Sequence, residues 1–124
     1  MEFNNLIQKA TDTLGSRQLS QNGWAGSVAA ALLAASGNVY TGVCIDVACG
    51  MGFCAEHAAI AAMVTAGENR ILKIAAVGGG GIMPPCGRCR EFISQIHDDN
   101  MDTEVMVADD TIVTIGDLLP YSSY

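Results

Sequence analysis

The chain has 124 residues, half of them hydrophobic and 15% charged, which predicts one folded α/β domain over residues 1–124 and excludes a disordered chain. Its net charge is -7 with only 6 Lys and Arg, too few and too scattered to follow a nucleic-acid backbone. The longest apolar run, Val28 to Ala35, is far short of a membrane span. The start Met1-Glu2-Phe3-Asn4-Asn5 has neither a basic segment nor an apolar core of a leader, so no membrane partner and a cytoplasmic location are expected. An odd number of cysteines, 5, argues for thiolate chemistry over a disulfide framework.

In chain order, Phe3, Leu6, Ile7, Ala10 and Leu14 recur at helical spacing, predicting an amphipathic helix over 2–14 that Gly15 stops. Ser16 to Gly26, with Asn22-Gly23 and the single Trp24, reads as a loop. Val28 to Ala34 predicts a buried strand, and Ser36-Gly37-Asn38 turns it into a second over Val39 to Val43. Cys44 to Phe53, with Gly50 and Gly52, reads as a loop over a site.

Cys54 to Ala66 is apolar nearly all round, and a helix without a polar face is buried on every side. In so small a domain that predicts a homo-oligomer. Ile71 to Val77 is a third strand, followed by the flexible Gly78 to Gly81, and no Lys-Ser/Thr pair makes that glycine run a P-loop. Cys86 to His97 is the second site helix, Thr103 to Ala108 a fourth strand, and Thr111 to Val113 a fifth after the Asp109-Asp110 turn. Thr114 to Asp117 has capping-box spacing before Leu118-Leu119, and Pro120 ends that helix. Strands alternating with helices after a hairpin predict a three-layer α/β/α sandwich around a five-stranded mixed sheet.

Cys86 and Cys89, at i and i+3, project from the same side of one helical turn behind Pro84-Pro85, which suits a helix start. Free N–H groups and the helix dipole favour thiolate there, the form that binds metal. Cys54 heads the other site helix and supplies a third sulfur. Three ligands with a free fourth position make a catalytic zinc site, whereas four close a structural one. Glu56 stands two residues beyond Cys54, near enough to lie beside bound water. Its neighbours are apolar, and a buried carboxylate in such company needs a function or a partner. Buried cysteines, a redox dithiol, or a closed four-thiolate or iron–sulfur site recruiting Cys44 or Cys49 remain open on cysteine count alone, although a closed site leaves Glu56 without a role.

Cys54-Ala55-Glu56 with Pro85-Cys86-Gly87-Arg88-Cys89-Arg90 resembles the cytidine deaminase family in its small three-cysteine form, over about Val28 to Pro120. Within that family it is most similar to blasticidin S deaminases, which have a similar Pro-Cys-Gly-Arg-Cys-Arg segment. The resemblance implies Zn²⁺ on Cys54, Cys86 and Cys89, with Glu56 as the proton carrier of a hydrolytic deaminase. It implies a small amino-heterocycle or nucleoside as substrate, with the Ala55 backbone and the Pro84 carbonyl touching the base. It also implies a homotetramer, a dimer being the other option.

Several positions depart from the family's pattern. Where relatives carry Asn and Glu for the ribose hydroxyls, this chain has Cys44 and Asp46, a weak hydrogen-bonding thiol and a shorter acid. Gly26 stands where an aromatic is usual, so Trp24 is the candidate ring. Tyr121 and Tyr124 follow the Leu118-Leu119-Pro120 segment from which relatives send an aromatic into a neighbour's pocket. His57 replaces a common arginine, leaving Arg90 or Arg88, helped by His57, to offset the excess negative charge of three thiolates on one dication. His97 reads as a helix cap.

Overall fold

The computed structural model describes all 124 residues. Helix α1 (Phe3–Thr13) leads into strands β1 (Arg17–Ser20), β2 (Gly23–Ala34) and β3 (Val39–Val47). Helix α2 (Ala55–Thr65), strands β4 (Ile71–Gly78) and β5 (Gly81–Met83) and helix α3 (Gly87–Gln95) follow. A 3₁₀ turn (Asp98–Asp102), strands β6 (Glu104–Ala108) and β7 (Thr111–Thr114) and a last 3₁₀ turn (Gly116–Leu118) complete the chain. No helix is long and apolar enough to cross a membrane.

The sheet corrects one expectation: it has 7 strands, ordered β1-β2-β4-β6-β7 with β3 also on β2 and β5 also on β4. The two additional strands are β1, within the segment read as a loop, and β5, within the glycine-rich approach to Pro84. Both are short: β1 is exposed at all 4 positions and β5 has 3 residues, so neither shows the hydrophobic pattern by which strands are recognised. The β2–β3 hairpin extends further at both strands than the apolar runs suggest, and Cys44 to Val47 belong to β3. The mixed character holds, since β4 and β6 run parallel while the other pairs are antiparallel. The expected terminal helix is a single 3₁₀ turn, and its capping box is formed, with Thr114 N–H donating to Asp117 and Asp117 N–H to Thr114 Oγ1.

The unbroken apolar run of β2 is explained by helices covering both faces of the sheet. Ala30, Leu32 and Ala34 point one way, with Ile74 and Ala76, into a core closed by Ile60 and Met63 of α2 and Ile93 of α3. Ala31 and Leu33 point the other way, with Ala75 and Val77, onto Phe3, Leu6 and Ala10 of α1. Successive strand residues alternate between faces, so one run of small apolar residues serves both layers. Asn100 locks the β4 end of the structure: fully buried, it accepts from Ile71 N–H and donates to the carbonyls of Asn69 and Ile93.

Two features seat α2, and with it Cys54 and Glu56. A Cβ on Gly42 of β3 would come within 2.4 Å of the Ala59 nitrogen, so only glycine lets the helix lie this close to the sheet. The far end is closed by Gly67 at φ 97, with Gly67 N–H donating to the Val64 carbonyl and Glu68 N–H to that of Met63. That is the left-handed Schellman stop which glycine accommodates without strain.

Candidate metal centre and cleft

Helices α2 and α3 begin side by side. Cys54 and Cys86 are their respective N-cap residues, both in extended conformation, and Cys89 lies in the first turn of α3. The sulfurs of Cys54 and Cys86 are 3.4 Å apart and those of Cys86 and Cys89 3.5 Å. All three lie within 4.8 Å of one another. Two sulfurs each about 2.3 Å from one tetrahedral zinc would be roughly 3.8 Å apart, so the triangle needs only small adjustments to seat the ion. Neither Cys44 nor Cys49 belongs to this cluster.

The electrostatics favour a cation at the same point. Burial raises the Cys54 thiol, and its neighbour Cys86 adds to the effect. Burial raises Cys89 further, reinforced by the charge of Glu56. For Cys86 burial also pushes upward, but the N–H groups of Cys89 and Arg88 and the neighbouring thiols outweigh it, and the net shift is down. Packed together, such sulfurs become thiolates as a set only when a metal charge replaces their protons. The donor set of three soft ligands is one zinc accepts.

Glu56 sits two residues past the Cys54 cap, 5% exposed, and lines a cleft of about 320 Å³ together with Cys54 and Cys86. Burial raises its carboxyl, opposed by a hydrogen bond from its own backbone N–H. A proton carrier works best when its pKa lies near the operating pH, and desolvation moves a carboxylate that way.

The other wall of the cleft includes Ser27, Cys44, Asp46 and Pro84, with Ala55 at the helix start. The geometry here comes from a bulge. β2 and β3 pair at Ala25↔Ile45 and again at Ala29↔Val43, so Gly26, Ser27 and Val28 stand opposite Cys44 alone. Bulges re-aim side chains at sites, and this one brings Ser27 Oγ to 3.2 Å from Cys44 Sγ. Cys44 Sγ in turn lies 3.8 Å from Asp46 Oδ2. Gly26 has φ 86 and abuts Gly15, a place no side chain can occupy. No aromatic ring can therefore replace it.

The remaining predicted residues fall elsewhere. Trp24 does not line the cleft; it lines an adjoining hollow that shares Ser27 and Asp46 with it and also includes Arg17. Tyr124 is 84% exposed and Tyr121 96%, and neither lines the cleft. Arg90 donates from Nε to the Pro85 carbonyl at 2.8 Å, while His57 Nδ1 lies 3.2 Å from Cys89 Sγ. Burial lowers the His57 pKa, and the charge of Arg88 lowers it further. His97 caps the 3₁₀ turn, its ring nitrogen accepting from Asp99 N–H. Sequence reasoning missed Ser27, which only the bulge brings to the site, and Phe92, whose ring stacks on His57 at 4.6 Å. Phe92 had a readable signal: it stands three residues after Cys89, on the same helical face.

Residues 4–104 match the protein family described as the cytidine and deoxycytidylate deaminase zinc-binding region. A cytidine deaminase of Mycobacterium tuberculosis is 41% identical over 69 residues, covering 54% of this chain and 52% of that protein. The chain thus spans about half the length of the curated relatives it matches. Over whole folds the likeness is fuller. The crystal structure of cytidine deaminase from Mycobacterium tuberculosis is similar at a TM-score of 0.82 and 30% identity, covering 100% of this chain and 98% of that one. Cytidine deaminase from Burkholderia pseudomallei gives 0.77 and 28%, covering 98% and 99%. That from Mycobacterium leprae gives 0.80 and 26%, covering 97% and 98%.

Proposed function

The chain belongs to the cytidine and deoxycytidylate deaminase family, and from that premise we propose that its 124 residues form one zinc-dependent deaminase domain. It converts a cytosine nucleoside, or a cytosine-bearing analogue, to the uracil form with release of ammonia. The observation that carries this reading is a buried carboxyl, Glu56, in a cleft lined by Cys54 and Cys86, two of the three clustered sulfurs.

Cys54, Cys86 and Cys89 would hold the zinc. When bound, the metal supplies the Lewis acidity that makes water a nucleophile at neutral pH. Glu56 takes the proton from the attacking water and delivers it to the ring nitrogen as the carbon–oxygen bond forms. It then takes the second proton from the newly added hydroxyl and passes it to the amino group, so that the carbonyl forms, the carbon–nitrogen bond breaks and ammonia leaves. The Ala55 backbone and the Pro84 carbonyl orient the base, both being at the cleft wall. No Lys or Arg lines the cleft itself, which favours a nucleoside over a nucleotide.

Cys44 and Asp46 stand on the sugar side. A thiol and a short acid hold ribose hydroxyls poorly, and the hollow beyond them, with Asp46, Arg17 and Trp24, has room for a larger polar substituent. These observations favour a modified sugar, and blasticidin S is the leading candidate of that kind. The exposed apolar Val64 of α2 and Phe53 at the cleft support a homo-oligomer, a tetramer or a dimer, in which Tyr124 reaches a neighbouring site. The enzyme works in the cytoplasm.

The test is ammonia release from cytidine, deoxycytidine, cytosine and blasticidin S by the zinc-loaded protein. Glu56→Gln should lower turnover by roughly 10²–10⁴-fold while keeping zinc and fold. No turnover by the wild type on any substrate would instead indicate a zinc-stabilised binding module.

A further inference from the structure

The pairing of three strands sets Gln18, Trp24 and Asp46 side by side. Trp24 of β2 stands opposite Gln18 of β1 on one side and opposite Asp46 of β3 on the other. Residues directly opposite in a sheet project from the same face, with Cβ atoms about 4.5–5.5 Å apart. Cys44, two residues before Asp46, shares that face and lines the cleft with it. The row therefore begins at the cleft and leads away from it, into the adjoining hollow of about 390 Å³ that Gln18, Trp24 and Asp46 all line. Cleft and hollow share Ser27 and Asp46, so the hollow continues the cleft on the sugar side.

The chemistry of this row suits a cation. Trp24 is 44% exposed, so the chain leaves much of its indole uncovered. Among aromatic side chains Trp attracts a cation to its face most strongly, and a carboxylate at the edge of the ring adds a counter-charge. The Asp46 side chain is exposed, and its one hydrogen-bonding side-chain partner is the Cys44 thiol, at 3.8 Å. No cation of the chain occupies this place: the ring that has a cation over it is Phe3, beneath Lys73. The wider field has the same sign, since the cleft holds Glu56 and no Lys or Arg, and three thiolates on one dication would leave the metal centre negative. Arg17 also lines the hollow, but it stands opposite Ala25, the neighbour of Trp24, so its side chain leaves β1 on the face away from the row.

We propose that Trp24 and Asp46 are specificity-determining residues that form a subsite for a cationic substituent, an ammonium or a guanidinium, on the sugar of a cytosine-bearing substrate. The cation lies on the indole with the Asp46 carboxylate beside it, and Gln18 at the far end of the row offers its amide to the rest of the substituent. This deepens the deaminase reading and rests on it for the placement of the base, whereas recognition of the cation does not depend on turnover. A neutral hydroxyl gains neither attraction, so the subsite discriminates by charge. At exposed positions a cation–π contact and an ion pair are each weak, and together they give a preference of about 5–30-fold.

The experiment compares cytidine with 5′-amino-5′-deoxycytidine and 3′-amino-3′-deoxycytidine, which carry an ammonium in place of a hydroxyl, and with cytidine 5′-monophosphate, which carries an anion. For the zinc-loaded full chain, kcat/KM is measured by ammonia release and Kd by calorimetry, and each protein is read as the ratio of one analogue to cytidine, so that general losses cancel. In the wild type at least one amino analogue should exceed cytidine by about 5–30-fold, with the phosphate below both. Trp24→Leu and Asp46→Asn should each cut that ratio, and the double variant should bring it to within twofold of unity. Trp24→Phe and Asp46→Glu, which keep a ring and a charge, should retain part of it. Added salt should reduce the wild-type ratio, because the pair is exposed. Ratios within twofold of unity or below for both amino analogues, or a preference that survives the double variant, would overturn the proposal. A preference for the phosphate would also overturn it and assign the hollow to Arg17. Protein that turns over none of these compounds, yet binds an amino analogue more tightly than cytidine until Trp24 and Asp46 are replaced, would defeat the functional reading and leave this subsite standing.

Discussion

Arg90 reaches back five residues along its own chain to donate from Nε to the Pro85 carbonyl at 2.8 Å, bracing the turn that presents Cys86. Pro85 is buried and Arg90 half-buried, so water replaces this contact poorly. A hydrogen bond from a charged donor contributes about 1.5–3 kcal/mol. Arg90→Ala is therefore expected to lower the unfolding free energy of the protein by about that amount in a denaturant titration. Arg90→Lys should recover little, because an ammonium lacks the fixed planar fork that reaches the carbonyl. Unchanged stability in Arg90→Ala would show that the brace contributes nothing.

Gly42 sets the depth of α2. In Gly42→Ala the new methyl would meet the Ala59 nitrogen and come within 2.6 Å of the Ala58 Cβ, so helix or strand must shift. Overpacking of this kind costs about 1–3 kcal/mol. Because Cys54 and Glu56 ride on the same helix, zinc affinity and activity should fall together with stability. A variant as stable and as active as wild type would contradict this seat for the helix.

The carboxylate of Glu68 ties the C-terminal end of α2 to the β2–β3 hairpin. Its Oε2 accepts from the Tyr40 hydroxyl at 2.7 Å and from Asn38 Nδ2 at 3.1 Å. Hydrogen bonds from Ser36, Tyr40 and Asn38 hold its carboxyl below the usual 4.5. A depressed carboxyl stabilises the fold at any pH above its unfolded value, and that contribution is lost as pH falls through the folded one. The Tm advantage of wild type over Glu68→Gln should thus be constant near neutrality and close as the pH drops below 4.5. A gap that persists unchanged into acid would mean that the ionised form is not what the contacts favour.

How much of this was legible in the sequence follows from which physical signals survive in one dimension. The Cys54 and Cys86–Cys89 spacings were readable because ligand geometry on a helical turn translates directly into i, i+3. The helices and the long strands were readable from apolar periodicity, and the layered α/β arrangement followed from their alternation. β1 and β5 were not, since an exposed edge and a three-residue strand bury too little to leave a pattern. Ser27 entered the cleft through a bulge, a property of pairing between strands that neither strand shows alone. Trp24, on the stretch of β2 paired with Gln18 and Asp46 before the bulge, lines the neighbouring hollow instead. The Arg90 contact depended on the exact path of the backbone at Pro85, which composition does not carry.

The central claim is that three sulfurs, and only three, hold a metal with a position left for solvent. X-ray absorption at the zinc edge on the purified full chain tests it directly. The account predicts one zinc per chain with three sulfur neighbours at about 2.3 Å and one oxygen at about 2.0 Å. A fourth sulfur in that shell, or protein isolated and reconstituted without binding zinc, would contradict it.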